Sequence, residues 1–191
     1  METLIQTNKS FLKTIKYDNL HLLSKCVEEV KPHLLVNPPI IIFNKICKQN
    51  RSIGFFSDES VGYQYSGQIM SSQSLTPNLK LLLQETNEIF ESKYNGILVN
   101  HYQDGKESIG AHSDDERALD KSGVVAISYG NPRKFRIRNK IDKKIVKDIP
   151  TQESVYLQMG GNFQKEFTHE IPKELKIKDC RYSFTFRKHT I

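Results

Sequence analysis

The stretch Ile109-Gly110-Ala111-His112-Ser113-Asp114-Asp115-Glu116 decides how this chain folds. It carries a His-x-Asp pair, and a further histidine, His169, follows much later. Two imidazoles and one carboxylate in this order can occupy one face of an octahedral metal, with three positions left open, and that donor set suits Fe(II). In a strand, residues i and i+2 point to the same side, so His112 and Asp114 can reach one ion while Ser113 points away. His169 must then arrive on a different strand folded back beside the first. His-x-Asp is a common pattern by itself, so its meaning depends on what surrounds it.

Toward the C-terminus the chain reads Cys180-Arg181-Tyr182-Ser183-Phe184-Thr185-Phe186-Arg187. This strict alternation is the signature of a half-buried strand. Tyr182, Phe184 and Phe186 take one side; Arg181, Ser183, Thr185 and Arg187 take the other. Two arginines on an inner face are costly unless they meet anions. A dicarboxylate such as 2-oxoglutarate would supply them, because a guanidinium grips a carboxylate as a bidentate fork. The alternative is an edge strand with a solvated basic face. Upstream, Asn100 and Tyr102 share a strand face, where an amide and a phenol could hydrogen-bond the remaining oxygens of such a co-substrate.

Together these residues resemble the AlkB family of Fe(II)/2-oxoglutarate-dependent nucleic-acid dealkylases. The matching pieces are Asn100 to Glu116, Ala126 to Phe135 (AISYGNPRKF), Met159 to Pro172 (MGGNFQKEFTHEIP) and Arg181 to Arg187, in that order, and the resemblance spans roughly residues 50–188. It implies Fe(II), 2-oxoglutarate and O2 as cofactors. His112, Asp114 and His169 would be the iron ligands, Arg181 would pair with the distal carboxylate of 2-oxoglutarate, Arg187 would sit at the metal end, and Asn100 and Tyr102 would complete the pocket. Ser183 departs from the asparagine frequent in the family. Glu116 matches an acidic position that faces the exocyclic amine of a damaged base. The His-x-Asp-Asp-Glu run is similar to the branch that repairs 1-methyladenine and 3-methylcytosine. Set against the family's lid, the run Gly62-Tyr63-Gln64-Tyr65-Ser66 puts Phe56, in preference to Phe55, at the position that stacks on the base. Tyr63 would contact phosphate, with Tyr65, Arg51 and Arg133 as further substrate-binding candidates.

Length and composition fit this reading. With 191 residues, a single domain can bury a sizeable core. The expected divisions are a helical buttress over about 1–45, a recognition lid with a support helix over about 46–95, and a catalytic core over about 96–191. No apolar run approaches the roughly 20 residues of a membrane helix. No secretory signal is visible at Met1-Glu2-Thr3-Leu4-Ile5. Cys26, Cys47 and Cys180 lack a Cys-x-x-Cys spacing, so reduced thiols in an intracellular protein, nuclear or cytoplasmic, are expected. Richness in Ile, Lys and Asn hints at an AT-rich genome and a viral source. The net charge of +6 favours a polyanion partner, DNA or RNA. Arg133, Lys134, Arg136, Arg138, Lys140, Lys143, Lys144 and Lys147 cluster in one stretch that reads as a basic hairpin able to hold a phosphate backbone.

Residues 8–35 read as short helices with a Leu20, Leu22, Leu23, Val27, Val30 stripe. Pro77 opens a helix to about Ser92. From Gly96 onward the chain reads as strands separated by turns such as Gly130-Asn131-Pro132. The expected fold class is mainly β with flanking helices (α+β), a double-stranded β-helix of the jelly-roll type, and the molecule is expected to be a monomer. Two rivals remain at this point: an Fe(II)/2-oxoglutarate hydroxylase of a protein or small molecule, and a non-catalytic nucleic-acid-binding module on the same fold.

Overall fold

A computed structural model describes residues 1–42, 44–60, 62–65, 68–115 and 123–189. The chain opens with strands β1 (Glu2–Gln6) and β2 (Ser10–Lys16), then helix α1 (Leu20–Val30) and a 3-10 turn (Lys31–His33). There follow β3 (Pro39–Ile42), β4 (Lys45–Lys48), β5 (Ser52–Phe56), β6 (Gly62–Tyr65), β7 (Gln68–Ser71) and α2 (Pro77–Ile89). The remainder is β8 (Gly96–Tyr102), β9 (Ile109–His112), β10 (Val124–Gly130), β11 (Lys134–Asn139), β12 (Ile145–Pro150), β13 (Val155–Gly161), the short α3 (Phe163–Glu166), β14 (Phe167–Ile171) and β15 (Arg181–Arg187).

The strands form a seven-stranded sheet in the order β1-β2-β13-β10-β15-β8-β5 and a four-stranded sheet in the order β12-β11-β14-β9. Both sheets are antiparallel throughout. β3–β4 and β6–β7 are separate hairpins. Inward residues of both sheets line one cleft, which is the jelly-roll arrangement expected from the sequence.

The period-2 pattern of β15 sorts its side chains as expected. Tyr182, Phe184 and Phe186 face outward into a core with Ile97 and Val99 of β8 and Val125 and Ile127 of β10. The helices close that core with Leu22, Leu23, Cys26 and Val30 of α1 and Leu79 and Leu82 of α2. Burying each phenylalanine is worth about 1.5–3 kcal/mol. α1 starts where the Asn19 side chain accepts from the Leu22 N–H at 3.2 Å, and α2 where Thr76 caps it with Pro77 in its first turn. A second core lies between the sheets, where Leu12, Val124, Leu157 and Met159 meet Phe135, Ile137, Phe167 and Ile171.

The expectation of helices across residues 8–35 is corrected. Residues 10–16 form β2, paired to β13 over its whole length, and only α1 and the 3-10 turn are helical there. The apolar stripe used for the helix starts at Leu20; before it, Phe11-Leu12-Lys13-Thr14-Ile15 alternates, and Leu12 enters the inter-sheet core. Gly130, at the end of β10, has φ +93, and a Cβ there would lie 2.6 Å from the Cys180 carbonyl oxygen, so the turn opposite Arg181 needs glycine.

Candidate active site

His112 ends β9 and His169 lies within β14, and the register places them directly opposite each other. Their rings are 4.4 Å apart between centroids. Asp114 follows just past the end of β9, where the chain is stapled down on both sides. The Asp114 N–H donates to the Gln164 side-chain oxygen at 2.9 Å, and the Ser113 hydroxyl donates to the Phe167 carbonyl at 2.9 Å. Ser113 therefore points away, and one ligand atom from each of His112, Asp114 and His169 falls within 4.8 Å of the others. His112 Nε2 is 3.9 Å from Asp114 Oδ1, and His169 Nε2 is 3.5 Å from Asp114 Oδ2. The Nδ1 atom of His112 lies 2.8 Å from the Gly110 carbonyl. That acceptor assigns the ring proton to Nδ1 and turns the Nε2 lone pair toward the carboxylate. His169 is held flat by Phe135, stacked at 5.1 Å.

The electrostatics keep this cluster ready for a cation. Burial lowers the His112 pKa to about 4, helped by the neighbouring His169, so the ring is neutral at physiological pH. Burial by itself would raise the Asp114 carboxyl. The Arg187 guanidinium, with Nη2 at 3.3 Å from Oδ1, and the two imidazoles outweigh that and hold it well below the usual carboxylate range. A neutral His112 beside an ionised Asp114 puts these two groups in the protonation state that metal ligation requires.

The cleft continues along the inner face of β15, where Arg181, Ser183, Thr185 and Arg187 all line it. Arg187 stands at the Asp114 end. Arg181 stands at the other end, buried, with Nε donating to Thr151 Oγ1 at 3.0 Å and Nη2 to Ser128 Oγ at 2.9 Å. Its Nη1 is buried and makes no hydrogen bond among the described residues. Burial lowers the Arg181 pKa to about 10, which still leaves it cationic at neutral pH. Asn100 and Tyr102 line the cleft from β8, and Asn100 accepts from Arg51 Nε at 2.7 Å. Tyr63, from the β6–β7 hairpin, closes over the metal end with its ring 4.8 Å from the Arg187 guanidinium carbon. The side chains lining the cleft thus include three guanidinium groups, Arg51, Arg181 and Arg187, against one carboxylate, Asp114. That excess of positive charge matches a dianionic ligand.

Several sequence expectations need correction. Phe56 does not face the cleft: it is 1 % exposed and belongs to the outer core beneath α1 and α2. Phe55 faces inward but packs on Tyr63 and His189 without lining the cleft. Arg133 does not line the cleft. Its side chain is 0 % exposed and donates to the carbonyls of Asp104, Glu107 and Pro172 and to the Glu174 carboxylate. The basic hairpin is largely neutralised: Arg136 forks onto Asp148 at 2.8 and 2.9 Å, and Arg138 pairs with Glu170 at 2.9 Å. Glu116 and the side chain of Tyr65 lie outside what the structure describes. Sequence reasoning missed Phe135, Gln164, Ser128 and Thr151 as supports of the site. Phe135 lies in a quoted motif, but nothing in its spacing signalled contact with His169.

Comparison with known proteins adds independent findings. Residues 19–187 match the family profile described as the 2OG-Fe(II) oxygenase superfamily. The human DNA oxidative demethylase ALKBH2 is 28% identical over 155 residues, covering 77% of this chain and 59% of that protein. An uncharacterized protein of Acanthamoeba polyphaga mimivirus is 26% identical over 183 residues, covering 95% of this chain and 94% of its own length. The solved structure of OsALKBH1 matches with a TM-score of 0.60 over 98% of this chain and 100% of that one, at 15% identity, which is a likeness of fold. The chain spans about three-fifths of the length of the human relative. Among the described residues, no helix is long and apolar enough to cross a membrane.

Proposed function

The chain belongs to the 2OG-Fe(II) oxygenase superfamily, within its AlkB family, and on that premise we propose that it oxidatively demethylates N-alkylated bases in nucleic acid, with 1-methyladenine and 3-methylcytosine in DNA or RNA as substrates. The observation that carries this reading is one cleft that joins a His-Asp-His triad to a buried, cationic Arg181 with an unused donor. The superfamily implies Fe(II), 2-oxoglutarate and O2. The donor set fits the metal, and the orphaned Nη1 fits the far carboxylate of the keto acid.

When bound, iron with 2-oxoglutarate and oxygen supplies oxidation of the N-methyl carbon, and the resulting hemiaminal releases formaldehyde. The protein's part is positioning and electrostatics. His112, Asp114 and His169 would hold one face of the metal and leave the other open. Gly110 fixes the His112 tautomer, and Gln164 fixes the backbone of Asp114. Arg181 and Arg187 would bind the two ends of the co-substrate, with Asn100, Tyr102 and Ser183 completing its surroundings. Tyr63 stands over the Arg187 end of the cleft and would limit solvent access to the metal. A base must leave its stack to reach such a cleft. Glu116, by its position in the family motif, would favour a cationic methylated base over a neutral one. The mimivirus relative is compatible with a viral source.

The test uses matched DNA and RNA oligonucleotides, each with one 1-methyladenine or 3-methylcytosine, incubated with Fe(II) and 2-oxoglutarate. Mass spectrometry should find the unmodified base on at least one of them, and Asp114→Ala should abolish it. Succinate formation without repair of any of the four would move the substrate to a protein or small molecule and refute the base assignment.

A further inference from the structure

We infer that Ser128 and Thr151 are positioning residues that fix the aim of Arg181 and thereby the length of keto acid the cleft accepts; this rests on the reading that Arg181 takes the far carboxylate of 2-oxoglutarate. A guanidinium is planar and carries five N–H groups. In Arg181, Nε is held by Thr151 Oγ1 at 3.0 Å and Nη2 by Ser128 Oγ at 2.9 Å. Both contacts fall on the side edge of the fork. The end of the fork, made by Nη1 and the second N–H of Nη2, is left to meet a ligand, and Nη1 has no other partner among the described residues. Two fixed points on one edge define the plane of the group, and the Tyr102 ring, 5.4 Å from its central carbon, limits tilting.

The Thr151 hydroxyl cannot turn away from this duty. It donates its single proton to the Arg133 carbonyl at 2.9 Å and accepts from the Arg133 N–H at 3.0 Å. Its remaining lone pair faces Arg181, so the acceptor is set by backbone on both sides. Arg133 itself is locked by three carbonyls and Glu174, which anchors the assembly to the loops before β9 and after β14. The choice of hydroxyls also has a consequence for charge. A carboxylate in either place would hold the fork equally well but would neutralise it before the co-substrate arrived. Neutral acceptors orient Arg181 and leave its charge for the ligand. The other anchor of the co-substrate, Arg187, lies on the same strand face next to Asp114. With both ends fixed, the cleft measures chain length.

The test is calorimetric titration of the full chain, loaded with Mn(II) in place of iron under nitrogen, with 2-oxoglutarate, the shorter oxaloacetate and the longer 2-oxoadipate. Thr151→Val and Ser128→Ala should each weaken 2-oxoglutarate binding about tenfold, the effect of losing one charge-assisted hydrogen bond. Each should also narrow the preference for 2-oxoglutarate over the other two acids. Thr151→Ser, which keeps the hydroxyl, should bind as the unmodified protein does. In turnover, KM for 2-oxoglutarate should rise with kcat within about twofold, a split that general destabilisation does not give. Ser128→Ala removes no backbone contact and carries the test alone if Thr151→Val fails to fold. Unchanged affinity and selectivity in the folded variants would overturn the positioning role. Failure of the unmodified protein to bind 2-oxoglutarate would instead overturn the reading of the cleft.

Discussion

Replacing Arg133 with methionine separates a structural arginine from a substrate-binding one. The side chain is fully enclosed and donates at 2.9 Å to Asp104 O, at 2.8 Å to Glu107 O and Pro172 O, and at 3.3 Å to Glu174. Methionine fills similar volume but strands the Glu107 and Pro172 carbonyls, whereas Asp104 O keeps the Glu107 N–H and the Glu174 carboxylate keeps the Lys134 N–H. Each stranded buried acceptor costs about 1–3 kcal/mol, and relaxation of the loops recovers part of the sum. A total of about 3–5 kcal/mol follows, the range seen when one partner of a buried ion pair is removed. At about 2–4 °C per kcal/mol for a chain of this size, the thermal midpoint should fall by about 6–20 °C. The assay is thermal unfolding followed by far-UV circular dichroism, with Arg136→Met as the control. Arg136 is paired to Asp148 at the surface, and its loss should move the midpoint by no more than about 3 °C. Oligonucleotide affinity, measured below the transition, should change little in Arg133→Met. A variant that keeps its midpoint yet loses oligonucleotide binding would refute the structural assignment and restore Arg133 as a contact.

Other outcomes follow from the same geometry. Phe56→Ala should cost about 3–5 kcal/mol in denaturant unfolding while leaving KM for the methylated oligonucleotide unchanged; a selective rise in KM would return Phe56 to the cleft. Mn(II) at a hundredfold excess over its Kd should stabilise the protein by about 2.7 kcal/mol, and Asp114→Ala should abolish that gain; equal stabilisation of both would place the metal elsewhere. Cys47 and Cys180 are exposed and should react with a disulfide reagent at pH 8, whereas Cys26 should react only after unfolding. Burial, aided by Glu29 and Glu85, pushes the Cys26 thiol from its usual 9.0 up to about 12. A raised folded pKa means that its contribution to stability is complete below about pH 9 and is lost as pH rises toward 12. The urea midpoint of the wild type should therefore fall more steeply over that window than that of Cys26→Ala, and identical slopes would count against the shift.

How much was legible in the chain depended on whether a residue's surroundings were one-sided. β15 has an apolar core on one face and the cleft on the other, so its alternation gave both the core and the arginines. The triad was equally readable, because metal ligation demands residue types that are rare together at that spacing. β5 was not readable in the same way. All five of its residues are buried, since the Tyr63 hairpin covers one face and the helices cover the other. With no polar face, alternation could not say which phenylalanine pointed where, and the family position misassigned Phe56. β2 was read as helix because the stripe of α1 was extended backward past Asn19, the residue that caps it. The basic stretch at 133–147 was read from charge alone, and its carboxylate partners Asp148, Glu170 and Glu174 include two that arrive from a distant part of the chain. Thr151 and Ser128 carried no signal, because a hydroxyl that orients an arginine differs in sequence from any other threonine or serine only by where the fold brings it.

The central claim is that His112, Asp114 and His169 hold iron in a cleft where Arg181 and Arg187 receive 2-oxoglutarate for oxidation of a methylated base. Its most direct test is the joint yield of succinate and formaldehyde with a 1-methyladenine oligonucleotide, compared with the unmethylated strand and with the Asp114→Ala variant. The account predicts the two products in equal amounts, on the methylated strand only, and neither from Asp114→Ala. Formaldehyde at the same rate from Asp114→Ala, or none from the folded wild type under any Fe(II) and 2-oxoglutarate supply, would contradict it.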